Sequence, residues 1–460
     1  MPLLRIRDDT IVAVATATGR GAVAIVRTSG SEAEQICRRV VAPWRGWPLR
    51  PRTATRARIH RRDEPESLID YGLVTMFPAP HSYTGETVIE LGVHGGEFVP
   101  HAVFGALLQA GARAAVAGEF TERAVLNGKL DLLRAEAIAD LIDARTIASH
   151  RMAIRQLSGA LSDRLAALRD ALIEVQALLA YEVDFPEEDS GLLPRARIHG
   201  ACERVISQLD VLLATSSVAI LGRDGATVVL AGPQNAGKSS LLNALIGEAR
   251  VIVSAQPGTT RDAVEVLLEQ EPWPLRLVDT AGLGDTDDPV ERLGIEVSER
   301  YLSRAHVVLA CAESSAKLEQ ITASIRMKTS APLIQVLTKC DLPANVHTEA
   351  SATSGLVRVS ALKNEGLDEL LARVSSTVVR EMGTTDPDAP TITRARHRAA
   401  LLVARQEVTA FLQASTEGLL PVPVAAVHIR SAGTALDELI GSVDIDAVFA
   451  RVFSTFCIGK

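Results

Sequence analysis

Short apolar runs rich in β-branched residues open the chain. "TIVAVAT", "GAVAIVRT" and "TVIELGVH" read as strands within residues 1–118, together with one helix-like run near residues 100–111. The opening "MPLLRIRDDTIVAVATATG" loosely mimics a leader, but Asp8 and Asp9 interrupt it and Gly-Arg-Gly follows, so a strand is the better reading. From about residue 119 the period lengthens. Leu161, Leu165, Leu168, Leu172, Val175 and Leu179 recur at threes and fours, the spacing of one helical face. "DFPEEDSGLLP" breaks this region through Pro186, Gly191 and Pro194. Strand-like and helix-like runs then alternate to about residue 382, as in a parallel α/β domain. "GTTDPDAP" reads as a linker, and helical periodicity resumes to the end, where Phe449, Val452, Phe453 and Phe456 of "DIDAVFARVFST" share one face. The pattern predicts an N-terminal domain (1–118) and a helical domain in two segments (119–222 and 383–460), with an α/β domain (223–382) inserted between them.

Composition adds limits. A formal net charge of −8 gives no global basic character that would point to nucleic acid. Seven arginines (45, 50, 52, 56, 58, 61 and 62) nevertheless fall between Arg45 and Arg62 without an acid; the stretch reads as a solvated loop ahead of a nucleic-acid patch. The five cysteines (37, 202, 311, 340 and 457) stand far apart with no C-x-x-C pair, which disfavours a zinc site and suits a reducing cytoplasm. No apolar run is long enough to span a membrane.

The inserted domain carries the clearest chemistry. "TVVLAGPQNAGKSSLLNALIG" is a strand, then Gly232-x-x-x-x-Gly237-Lys238-Ser239, then a helix: the phosphate-binding loop in its required context. Glycines let backbone N–H groups close on phosphate oxygens, and the helix N-terminus favours anionic charge. Lys238 would neutralise the β/γ-phosphates and the Ser239 hydroxyl would reach Mg²⁺. Thr260 of "PGTTRD" can complete the Mg²⁺ shell. "DTAGL" places Asp279 for an outer Mg²⁺ contact and the Gly282 N–H for the γ-phosphate. Asp341 of "TKCD" can accept from a guanine 2-amino/N1 edge, which adenine does not offer, although Thr338 stands where many GTPases have Asn. Ser360-Ala361-Leu362 supplies the last base-contact loop. Five ordered segments favour a GTPase over a generic ATPase. Many Ras-like GTPases orient the attacking water with a Gln directly after Asp-x-x-Gly; here that position is Leu283. Glu291 and Arg292 in "PVERLGIE" follow soon after, and for a lone Glu near a helix start, dipole stabilisation is the simpler role.

The chain ends in "FCIGK". Cys457 sits four from the end, but Gly459 and Lys460 fit prenylation motifs poorly. A disulfide partner and an inert buried thiol remain open.

These segments, in this order, resemble the MnmE (TrmE) family of tRNA modification GTPases from end to end. "TIVAVATATGRGAVAIVRTSG", "HSYTGETVIELGVHGG" and "GEFTERAVLNGKLDLLRAEAIADLID" are similar to its folate-binding and helical segments. "GPQNAGKSSLLNAL", "PGTTRD", "DTAGL" and "VERLGIE" are similar to its GTPase domain, and "FCIGK" to its terminus. The resemblance implies a multidomain α+β chain: a mixed α/β folate-binding and dimerisation domain, a discontinuous all-helical domain and an inserted Ras-like α/β P-loop G domain. It implies a homodimer that works with an MnmG-like flavoprotein, in a heterotetramer. Together they would install an aminomethyl or carboxymethylaminomethyl group at carbon 5 of the tRNA wobble uridine. The one-carbon unit would come from 5,10-methylene-tetrahydrofolate, with 5-formyl-tetrahydrofolate as a ligand of the same site. GTP would be held by Asn235, Ala236, Gly237, Lys238, Ser239, Ser240, Ser254, Gln256, Gly258, Thr259, Thr260, Asp279, Thr280, Ala281, Gly282, Thr338, Lys339, Asp341, Ser360, Ala361 and Leu362. Asn235, Ser254, Gln256 and Thr259 would hold K⁺, a fixed cation near the β/γ-bridge in place of an arginine finger. Glu291 would position the catalytic water. Arg27, Glu90, Lys129 and Lys460 match the folate-holding positions, and Cys457 would be a reduced thiol needed for modification. A GTP-dependent switch in ribosome assembly is the alternative function.

Overall fold

A computed structural model of the chain describes residues 9–184, 195–248, 251–252, 264–279, 298–342, 356–382, 391–416, 422–440 and 459. The expected break at 185–194, the linker at 383–390 and the terminal amphipathic run lie outside the described residues. Two compact units emerge, one from residues 1–139, 157–198 and 410–460, the other from 140–156 and 199–409.

The first unit is built on a seven-stranded sheet of β1 (Ile11–Val14), β2 (Val23–Ser29), β3 (Val41–Pro43), β4 (Thr55–Arg61), β5 (Glu64–Phe77), β6 (Val88–His94) and β7 (Arg113–Ala114). Their order is β3-β4-β5-β6-β2-β1-β7, antiparallel except for the β1–β7 pair. Alternation along β2 and β6 buries Val26, Ile89, Leu91 and Val93 on one face, against Ile36 and Cys37 of α1 (Ala33–Arg38) and Val103 and Leu107 of α2 (Phe98–Gln109). The opposite face keeps its polar and exposed members, Arg27 and Glu90 among them. α3 (Glu119–Leu126) and most of α4 (Leu132–Asp143) follow in this unit; α5 (Ile147–Ser158) falls almost wholly in the second unit, and α6 (Ala160–Asp184) returns to the first. The six residues that predicted a helical face in α6 are all buried, and α6 packs on the last described helix, 422–440.

One expectation needs correction. The arginine-rich stretch is not simply a loop, because its second half is β4. There Arg56 and Arg58 are exposed while Ala57 and Ile59 are buried, the two-residue period of a half-buried strand.

The second unit holds the second sheet. Its strands are β8 (Ala226–Ala231), β9 (Val251–Ile252), β10 (Val264–Leu268), β11 (Leu275–Asp279), β12 (Val307–Ala312), β13 (Leu333–Leu337) and β14 (Leu356–Arg358), in the order β14-β13-β12-β8-β11-β10-β9. β11, β8, β12, β13 and β14 run parallel, and β10 joins β11 antiparallel. β12 is buried along its whole length and β8 nearly so, as expected of central strands covered on both faces. α7 (Arg195–Asp224) enters the sheet through Gly225, and α8 (Lys238–Glu248), α9 (Ser315–Arg326) and α10 (Leu367–Met382) follow their strands. α11 (Ala395–Thr416) ends this unit's helices and α12 (Val422–Ile440) belongs to the first unit. One antiparallel strand beside a parallel set, with the first strand central, is the Ras-like topology. Among the described residues no helix is long and apolar enough to cross a membrane.

Candidate functional site

The phosphate loop leaves the carboxyl end of central strand β8 and enters α8 at Lys238. Its glycines answer to geometry. A Cβ on Gly232 would fall 2.2 Å from the Cys311 carbonyl oxygen of β12, and Gly237 has φ +83°. Asn235 also takes a positive φ, +61°, at the crest. The Lys238 ammonium donates back to the carbonyls of Gly232 (3.1 Å) and Pro233 (3.0 Å), so the loop closes on its own lysine. Burial lowers the Lys238 pKa, and the Asp279 carboxylate and Cys311 pull it upward. The Ser239 hydroxyl donates to Asp279 Oδ2 at 2.6 Å, while the buried Asp279 Oδ1 has no hydrogen-bond partner. A hydroxyl and a carboxylate at this spacing, with one carboxylate oxygen still able to donate a lone pair, suit a divalent cation shared with phosphate oxygens.

The base side is tied to the phosphate side. The buried Thr338 hydroxyl donates to the Ala236 carbonyl (2.7 Å), and Lys339 Nζ donates to the Asn235 carbonyl (2.8 Å) and to Glu313 (3.0 Å). Threonine in place of asparagine therefore keeps a direct bond to the loop. Asp341 accepts from the Ser360 hydroxyl (2.7 Å), and that bond, more than any charge, holds its carboxyl below the usual range. The Lys363 N–H donates to the same Ser360 oxygen (3.2 Å). Ala361 is half-buried, and Leu362 and Ser240 are exposed. Ser254, Gln256, Gly258, Thr259, Thr260, Thr280, Ala281, Gly282 and Glu291 lie outside the described residues. Glu313, which fixes Lys339, was not anticipated; only its place just after β12 could have suggested it.

A second polar centre lies on the first unit's open sheet face. Arg27 and Glu90 stand directly opposite on β2 and β6, and the guanidinium reaches Glu90 Oε1 at 2.8 Å through both Nε and NH2. Its NH1 donates to the Gly459 carbonyl at 3.3 Å, and the rings of Tyr83 and Phe120 each lie 5.7 Å from the guanidinium carbon. Gly459 is thus seated beside Arg27. Gly459 is buried with φ +101°, and a Cβ there would lie 2.7 Å from the Val14 carbonyl oxygen and 2.8 Å from the Ala15 Cα. Lys129 is exposed, its stem beside Gly85 in the loop that carries Tyr83. Cys457 and Lys460 lie outside the described residues. Tyr83 and Phe120 were present in "HSYTGE" and "GEFTER", but nothing in their spacing showed that they flank one arginine.

An ion network braces this centre. Asp9 accepts from Arg113 (2.6 Å) and Arg123 (2.7 Å), Arg123 reaches Glu86 (3.1 Å) and Glu119 (3.1 Å), and Arg113 pairs with Glu119. Ser29 ties Glu86 (2.7 Å) and Thr84 (2.7 Å) to β2, and the Tyr83 hydroxyl bonds Thr121 at 2.8 Å. Burial pushes the Asp9 and Glu119 carboxyls up, but bonds and charge from the two arginines outweigh it and both end below their ordinary values.

The strand order and the self-closed phosphate loop, tied to β13 and to the Asp341–Ser360 pair, define a P-loop protein with a Ras-like G domain. The chain belongs to the MnmE (TrmE) family. The family model described as "GTP-binding protein TrmE N-terminus" matches residues 10–129, and that described as "MnmE helical domain" matches residues 132–457. A protein of Azoarcus sp. named tRNA modification GTPase MnmE is 40% identical over 462 residues, covering 98% of both chains. One of the same name from Symbiobacterium thermophilum is 38% identical over 462 residues, covering 98% of this chain and 100% of its own. Among solved structures, the G domain of the T. maritima FeoB iron transporter aligns at 25% identity over 35% of this chain and 99% of its own, with a TM-score of 0.27.

Proposed function

We propose that this protein is a GTPase of tRNA modification. The observation that carries the reading is the pair of hydrogen bonds that ties the 338–341 segment to the phosphate loop, Thr338 to Ala236 and Lys339 to Asn235, in a chain of the MnmE family. In that reading Asp341 takes the guanine edge, loop N–H groups and Lys238 take the phosphates, and Ser239 and Thr260 hold Mg²⁺, with Asp279 beyond them. Mg²⁺, when bound, would supply charge neutralisation on the β/γ-phosphates. Asn235, Ser254, Gln256 and Thr259 hold K⁺, and Glu291 orients the attacking water in place of the Gln that Leu283 replaces.

The finer reading completes the proposal. A reduced folate, 5,10-methylene- or 5-formyl-tetrahydrofolate, binds at Arg27, Glu90, Lys129 and Lys460. The Glu90 carboxylate suits a pterin's adjacent amino and ring N–H groups, and the cations suit the ligand's carboxylates. Cys457, two residues before the seated Gly459, is a thiol needed for the uridine chemistry. The protein acts in the cytoplasm as a homodimer with an MnmG-like flavoprotein, and hydrolysis drives a conformational cycle rather than the chemistry at carbon 5. The four-segment organisation read from the sequence is part of this proposal. Nucleoside analysis of tRNA from a strain lacking the protein tests it. Loss of the modified wobble uridine is expected, with restoration by the parent gene but not by Lys238→Ala. Unchanged nucleosides would refute it.

A further inference from the structure

The arginine-rich stretch has no part in either centre described above, yet it is organised. Trp44 is 59% exposed, Tyr71 46% and Leu73 49%, large fractions for such side chains. Arg56 and Arg58 of β4 stand directly opposite Leu73 and Tyr71 of β5, so all four share the open face of the sheet. The Arg56 guanidinium carbon lies 4.1 Å from the Trp44 ring centroid and 6.0 Å from that of Tyr71, and the two rings are 6.4 Å apart. No described residue gives the guanidinium groups of Arg45, Arg50, Arg56 or Arg61 a hydrogen bond or an ion pair, and all seven arginines of the stretch are exposed. Acids on this hairpin gather at its turn, Asp63, Glu64 and Glu66, while Asp70 is engaged by His94 at 2.8 Å.

We propose that this Trp44–Arg56–Tyr71 patch is a contact surface for single-stranded RNA. The indole and the stacked guanidinium offer planar faces to an unpaired base, and Arg45, next to Trp44 in the chain, and Arg58, opposite Tyr71, offer charge to flanking phosphates. Stacking accepts any base, so the surface holds an RNA loop without reading its sequence. A basic cluster on a chain of net charge −8 selects a polyanion. The proposal rests on RNA being the substrate class, as argued above.

The test is fluorescence anisotropy of an unmodified tRNA transcript with the full-length protein across a salt series. Trp44→Ala is expected to weaken binding about 5- to 100-fold, Trp44→Phe to retain most of the affinity, and Arg45→Ala to reduce the slope of log affinity against log salt by about one. GTP turnover should stay at the parental rate in all three. The surface is refuted if Trp44→Ala binds as the parent does, or if a fully paired RNA binds as tightly as the looped one. It is also refuted if the variants alter self-association alone, or if the parent binds no RNA. Loss of wobble modification in the deletion strain together with parental binding by Trp44→Ala would remove the surface and leave the proposed function standing.

Discussion

Gly459→Ala isolates the seat of the chain end. The glycine has φ +101°, and a non-glycine residue in such a conformation costs about 1–3 kcal/mol. The added methyl would stand 2.7 Å from the Val14 oxygen, closer than a Cβ tolerates, and the neighbour is strand backbone that cannot swing aside. Departure of the Gly459 carbonyl also deprives Arg27 NH1 of its 3.3 Å acceptor, but the remaining pair with Glu90 keeps the arginine in place. The strain alone, at about 1.4 kcal/mol per tenfold, shifts the seated fraction by roughly 5- to 150-fold. The assay is the rate at which carboxypeptidase releases the last residues, measured beside GTP turnover and wobble-uridine modification. Faster release with parental GTP turnover and lost modification is expected. Parental release together with parental modification would refute the reasoning, since the chain end would then tolerate a side chain where the geometry leaves no room.

GTP turnover should fall steeply when K⁺ is replaced by Na⁺, because ligands spaced for K⁺ hold the smaller, more strongly hydrated Na⁺ poorly and the charge near the β/γ-bridge is then unmatched; equal rates in the two salts would remove the cation role of Asn235. Glu291→Ala should bind GTP normally in an equilibrium assay yet lose most turnover, and hydrolysis at the parental rate would return Glu291 to a helix-capping role. Cys457→Ser should keep GTP turnover and the melting temperature while wobble modification collapses; persistence of modified tRNA would make the thiol a packing group. The Asp9 and Glu119 carboxyls titrate below their unfolded values, so their stabilisation is complete above about pH 5 and is lost as pH falls through the lowered range. Melting temperature should therefore drop on the acid side, and an equally steep acid limb in Asp9→Asn would show that the network is not its source.

What the sequence could disclose depended on the range of the interaction. The phosphate loop was legible because its chemistry is set by spacing within eight residues, Gly232 to Ser239, between a strand and a helix. The α6 face was legible because one period runs through Leu161 to Leu179. Pairings across long gaps were not legible. Thr338 meets Ala236 across 102 residues and Arg27 meets Gly459 across 432, and neither bond leaves a mark in local pattern. The strand β4 was misread for another reason. In Arg56-Ala57-Arg58-Ile59 the alternation is present, but small Ala57 gives a weak apolar signal and the count of arginines drew attention to solvent instead.

The junction between α7 and β8 is a single residue. Gly225 has φ +79°, and a Cβ there would meet Leu267 Cδ1 at 2.8 Å, so the bend is tightly packed. Arg276 of β11 grips the Asp224 carbonyl with two bonds, 2.9 and 2.6 Å, the Ala226 N–H bonds the Pro274 carbonyl at 2.8 Å, and Thr146 reaches the Gly222 carbonyl at 3.4 Å. The far end of β8 is the phosphate loop itself. In mechanical terms this is a keyed coupling rather than a tether. A displacement of β8 along its axis therefore acts on α7 directly, as a push or a twist, because one packed and bonded residue is all that separates the nucleotide-bearing strand from the base of the helix.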